Sequence, residues 1–224
     1  MAGLCVHSAL VTGANRGIGL GIVRQLLQMP NPPECVFAAC RDPKGERAQV
    51  RLSGAGFAEG WKCRTAHTAR TALLGPGSYS IWPPSTPTWS SCRLAFLPLL
   101  KKAAQGSPGS ELSCSKAAII NMSSSAGSIE EVFVWDYGQC IAYRCSKAAL
   151  NMLTKCQSLG YREHGILCAA LHPGWVQTDM GSTAEHKPPL TVDMSVQGML
   201  NVLSTLSEKD TGTFLDWEGK VVSW

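Results

Sequence analysis

The sequence predicts an α/β fold built on a doubly wound parallel sheet. Three observations predict it. Short apolar runs alternate with helix-patterned stretches at both ends of the chain. A glycine-rich turn separates the first run from the first helix. Strands that alternate with helices form a parallel sheet covered on both faces.

The elements follow in order. Ser8–Val11 is a short strand, and the stretch VTGANRGIG turns at Gly13, Gly17 and Gly19. Ile18, Ile22, Leu26 and Met29 recur about once per helical turn, which predicts a helix over 18–29. MPNPP at 29–33 stops it. Cys35–Cys40 is a second strand ending at Arg41-Asp42-Pro43, completing a β-α-β unit. Further on, Ala117–Met122 is a strand running into Ser123-Ser124-Ser125. Tyr143 to Leu159 is a helix, Gly165–Leu171 a strand, and His172-Pro-Gly-Trp175 a loop. Asp193 to Leu206 is a helix and Thr213–Asp216 a last strand.

The middle breaks this pattern. Residues 51–92 show no buried strand and little helical periodicity, with prolines at 76, 83, 84 and 87. A structureless stretch of this length is unusual inside a compact α/β domain. Order resumes in Ala95–Lys102, read as a helix end, followed by a Gly/Ser loop over 105–115. The 224 residues nevertheless predict one domain over 1–224, with 51–93 as its atypical segment.

Composition excludes several function classes. The first residues, MAGLCVHSALVTG, have neither the basic start nor the apolar core of a secretory signal, and no apolar run is long enough to span a bilayer. A soluble cytoplasmic protein without a membrane partner is the expectation. The ten cysteines form no C-x-x-C pair, so free thiols and no metal site are expected. Residues 51–110 carry seven basic side chains against Glu59 alone, but without helical period or motif, so nucleic acid is not an expected partner.

The motifs carry the chemistry. Glycines between a strand and a helix let backbone approach a pyrophosphate, and the helix N-terminus offers free N–H donors. Arg16 and Arg41 stand where a cation would meet a ribose 2′-phosphate, which favours NADP(H) over NAD(H). Tyr143 and Lys147 are four apart and share a helix face, and an ammonium there is expected to pull the phenol pKa down. Ser124, the second serine of S-S-x-x-G at a strand end, can hydrogen-bond a carbonyl oxygen. In HPGWVQTD, Thr178 can meet a carboxamide, while His172 reads as structural.

Together, ALVTGANRGIGLG, AACRDP, AYRCSKAALNM, LHPGWVQTDMG and GTFLDWEGK resemble the short-chain dehydrogenase/reductase family, nearest its C-factor-like carbonyl-reductase branch. The resemblance covers 1–50 and 94–224. It implies a Rossmann-like sheet, missing or distorted at its third and fourth strands. It implies NADP(H) held by Gly13, Asn15, Arg16, Gly17, Ile18, Gly19, Arg41, Tyr143, Lys147, Val176 and Thr178. It implies Ser124, Tyr143 and Lys147 as catalytic, with hydride passing from NADPH to an aldehyde or ketone, and a homodimer as a possible assembly. The family also implies an acidic residue after the third strand, N-N-A-G after the fourth and an asparagine in the next helix, whereas 51–93 holds neither Asn nor Asp. Two readings therefore stand open: an active carbonyl reductase, or an impaired or inactive remnant that at most binds NADP(H). An altered reading frame or exon arrangement is the preferred origin of the middle segment.

Overall fold

The computed structural model describes residues 4–39, 89–106, 111–132, 135, 139–182 and 187–224. Arg41 and nearly all of the atypical middle segment lie outside the described residues. The chain forms two compact units, Cys5–Pro98 and Leu99–Trp224, the latter joined by the N-terminal Met1–Leu4.

In the first unit, β1 (Ser8–Thr12) pairs in parallel with β2 (Cys35–Ala39), with Ser8 opposite Cys35 and Thr12 opposite Ala39. The crossover is α1 (Gly17–Leu27). Val23 and Leu26 bury its inner face, and Val23 packs with Ala14 and Ala38. The helix ends two residues earlier than its apolar period predicts. The Gln28 N–H already bonds the Arg24 and Gln25 carbonyls, and prolines follow at 30, 32 and 33.

The helix α2 (Trp89–Gly106) carries Pro98 inside it, at the boundary between the units. A proline has no N–H for the carbonyl four residues back, so the ladder is interrupted there. This helix runs beyond Lys102, where the sequence reading ends it, because Ala103, Ala104 and Gln105 continue it.

The second unit is a three-stranded parallel sheet in the order β3 (Ala118–Met122), β4 (Leu167–His172), β5 (Phe214–Asp216). The crossovers are α3 (Ile141–Tyr161) and α4 (Val192–Thr205). Central strand β4 is buried from Leu167 to Leu171, as a parallel strand covered on both faces must be. Val196 and Met199 of α4 are buried, as is Phe214 of β5, which stacks on Trp224 at 5.6 Å. Thr191 caps α4 by accepting from the Met194 N–H at 3.2 Å. β4 begins two residues later than predicted. Gly165 sits at φ +72, closing the short 3-10 turn Arg162–His164, and the extended strand starts only beyond it.

These features support an α/β fold of parallel sheets. The described strands are those the sequence predicts around the two motif-rich regions. Among the described residues seven cysteines are free thiols, and burial pushes the Cys168 thiol up to about 12. No described helix is long and apolar enough to cross a membrane.

Candidate active site

The predicted site residues fall on both units. In the first unit the turn between β1 and α1 is built by glycine. Gly13 and Gly17 take φ of +66 and +52, a region side chains avoid. A Cβ on Gly19 would land on the Gly13 carbonyl oxygen and 3.2 Å from the Ala14 Cα. Residue 19 must therefore be glycine for the helix to start this close to the turn. The Ala14 N–H donates to the Ala39 carbonyl at 3.1 Å and ties the turn to the end of β2. Arg16 is the extended N-cap, and no acidic side chain stands in the first turn of α1. The partial positive charge and free N–H groups of that helix end are thus not neutralised from within. Asn15 and Ile18 are half-buried in the same turn. This cradle fits a pyrophosphate.

In the second unit β3 delivers Ser123, whose N–H donates to the Leu171 carbonyl at 2.8 Å. Ser124 follows in extended conformation and caps the short 3-10 turn Ser125–Gly127, accepting from the Ala126 N–H at 3.2 Å. α3 brings Tyr143 and Lys147 to this turn. The Ser124 side chain lies close enough to the Tyr143 phenol to pull its pKa down. Lys147 Nζ lies 5.6 Å from the Tyr143 ring centroid and donates to the Met122 carbonyl at 2.9 Å. All three predicted catalytic side chains therefore meet at the C-terminal end of β3.

The electrostatics differ from the sequence expectation. Burial pushes the Tyr143 phenol above its ordinary value; the Ser124 side chain opposes this, and Cys140 adds slightly to the rise. Burial also lowers the Lys147 ammonium. The expected depression of the phenol by Lys147 is not seen: burial dominates the shift, and the opposing pull comes from Ser124 rather than from Lys147. Tyr143 is held as a protonated phenol, the form that can donate.

After β4, Val176 is buried and bridges Leu190, and its carbonyl accepts from the Thr178 hydroxyl at 3.5 Å. The Thr178 hydroxyl accepts from the Gly181 N–H at 3.1 Å and so closes its own turn. His172 Nδ1 is buried without a partner; burial lowers its pKa against the opposing pull of Asp216 and Glu131.

Sequence reasoning missed a row of polar residues behind the site. Asn121 Nδ2 donates to Thr154 Oγ1 and to Gln157 Oε1, both at 2.8 Å. Ser123 Oγ donates to Asn151 Oδ1 at 2.5 Å, and Asn151 Nδ2 donates to the Gly127 carbonyl at 3.3 Å. The signal was present: Tyr143, Lys147 and Asn151 lie at successive intervals of four, on one helix face.

The chain is similar to known proteins in sequence and fold. A model of the short chain dehydrogenase family matches residues 96–189. The NADPH-bound carbonyl reductase from chicken fatty liver is 51% identical, covering 100% of this chain and 96% of its own, with a TM-score of 0.80. The chain belongs to the short-chain dehydrogenase/reductase family. A second carbonyl-reductase member, Sniffer of D. melanogaster, is 31% identical over 98% of this chain and 100% of its own, with a TM-score of 0.79. The C-signal protein of Myxococcus xanthus is 45% identical over 87 residues. That match takes in 39% of this chain and about half, 51%, of the C-signal's own length. Membership of this family accounts for the order of the motifs: glycine turn, serine turn, tyrosine–lysine helix, then the Pro-Gly loop.

Proposed function

We propose that this chain is an NADPH-dependent carbonyl reductase acting on a small aldehyde or ketone. The observation that carries the reading is the meeting of Ser124, Tyr143 and Lys147 on one compact unit. Gly13, Gly17 and Gly19 with the N-terminus of α1 would hold the pyrophosphate, beside Asn15 and Ile18. Arg16 and Arg41 would take the 2′-phosphate. Lys147, the Val176 backbone and Thr178 would line the nicotinamide end; Thr178 would have to share a hydroxyl that now closes its own turn. NADPH, when bound, supplies the hydride. Ser124 would donate a hydrogen bond to the substrate carbonyl oxygen and hold it at the phenol. Tyr143 would give that oxygen its proton as negative charge develops on it. Lys147, anchored on the Met122 carbonyl, would stabilise the phenolate left behind.

A second reading has its own support. The segment 51–93 holds neither Asn nor Asp, and α2 carries no asparagine, so an acidic residue at the adenine and the family's helix asparagine have no counterpart there. On this reading the chain at most binds NADP(H). One experiment separates the two: melting temperature with and without excess NADPH, then NADPH oxidation over a panel of aldehydes and quinones. Binding to the native state alone stabilises by about 2.7 kcal/mol at 100-fold excess over Kd. A shift with turnover is expected; a shift without turnover supports the remnant, and no shift rejects both. Gly19→Ala is expected to abolish the NADPH-dependent shift, because its methyl group would push the turn away from the helix end. A full shift in that variant would remove the glycine turn from binding. The homodimer rests on the sequence resemblance, and light scattering of the purified chain tests it.

A further inference from the structure

The proposed chemistry needs a serine hydroxyl fixed at a phenol, and the segment carrying that serine is held from behind. Ser124 lies between Ser123 and Gly127, both of which are buried. A single side chain reaches both. Asn151, 3% exposed on α3, accepts from Ser123 Oγ at 2.5 Å and donates to the Gly127 carbonyl at 3.3 Å. An amide is suited to this because it accepts at one atom and donates at the other. The turn can lie this close only because Gly127 has no side chain; a Cβ there would stand 2.6 Å from the Lys147 Cβ and 2.7 Å from its carbonyl carbon. The other buried polar side chains of α3 do something different. Thr154 and Gln157 bind Asn121, inside β3, and Lys147 binds the Met122 carbonyl. Among the described residues, Asn151 is the helix side chain that hydrogen-bonds both ends of the serine turn.

The geometry points to Asn151 as a positioning residue: it clasps Ser123 and Gly127 to α3 and thereby fixes the Ser124 hydroxyl at Tyr143. The kinetic consequence rests on the carbonyl-reductase reading, whereas the placement of the phenol does not.

The test is a cycle of Asn151→Ala, Ser124→Ala and the double variant in the full chain, with two readouts. The first is the titration of the Tyr143 phenol, followed by NMR of 13Cζ-labelled tyrosine and assigned with Tyr143→Phe. Each single variant is expected to raise the midpoint, and the double variant to go no further than Ser124→Ala alone. Residues that act through one another are non-additive in this way. The second readout is steady-state reduction. Asn151→Ala is expected to lower kcat on the order of tenfold, with the KM for NADPH within about twofold, and to have little effect once Ser124 is alanine. A variant that melts earlier but keeps the phenol midpoint and kcat of wild type would overturn the proposal. So would effects that add in full to those of Ser124→Ala. If the wild-type chain shows no turnover, the carbonyl-reductase reading fails while the titration still decides the clasp. If Asn151→Ala does not fold, Ser123→Ala removes one of the two contacts at little cost in volume and carries the same expectations.

Discussion

Tyr143→Phe is expected to cut NADPH-dependent carbonyl reduction by about 10²–10⁴-fold, the usual worth of a positioned proton donor. The substitution keeps the ring and deletes only the hydroxyl that faces Ser124. The variant should therefore fold and still shift its melting temperature with NADPH, so the loss is read as kcat rather than binding. The pH profile gives a second check. Burial raises the phenol, so the donor form persists through the neutral range. Reduction by the wild-type chain should hold level toward alkaline pH and decline only above the ordinary tyrosine value of about 10. Activity within tenfold of wild type in Tyr143→Phe would exclude Tyr143 as the donor.

Gly127→Ala is expected to destabilise the second unit and to disturb its serine turn. The added carbon would meet the Lys147 Cβ at 2.6 Å, its carbonyl carbon at 2.7 Å and the Ala148 nitrogen at 3.0 Å. Two of these are backbone atoms of a helix, which cannot rotate aside. The turn must then lift away from α3, loosening both Asn151 contacts. Forced overpacking of this kind costs about 1–3 kcal/mol. At roughly 2–4 °C per kcal/mol for a chain of this size, melting should fall by several degrees. Turnover should fall with it, because Ser124 moves with the turn. A variant with unchanged melting and unchanged kcat would show that the approach of turn and helix is not required.

Much of this was legible in the sequence, for identifiable reasons. Strands such as Ala118–Met122 and Leu167–His172 are nearly continuous apolar runs, and glycines mark the β1–α1 turn. Tyr143, Lys147 and Ser124 were legible because their chemistry is recorded as residue type and spacing. The direction of the Tyr143 pKa was not, since it depends on how deeply the ring is buried rather than on the neighbour four residues away. Asn151, Thr154 and Gln157 were passed over for a related reason. A polar residue on a helix ordinarily faces solvent, and only packing against β3 turns this face inward. Element ends shifted by one or two residues where local geometry decided the boundary, as at Gln28 for α1 and Gly165 for β4.

The inward polar row of α3 determines how the helix may sit. An oily contact tolerates sliding and rolling, because one methyl group replaces another at little cost. A row of matched donors and acceptors does not: displacement by one residue would break the bonds of Asn121 to Thr154 and Gln157 and of Ser123 to Asn151 all at once. The phenol at the start of the helix therefore takes its angle from latches spread over the roughly four turns behind it. Its aim is set as a key is set by its teeth, well away from the end that does the turning.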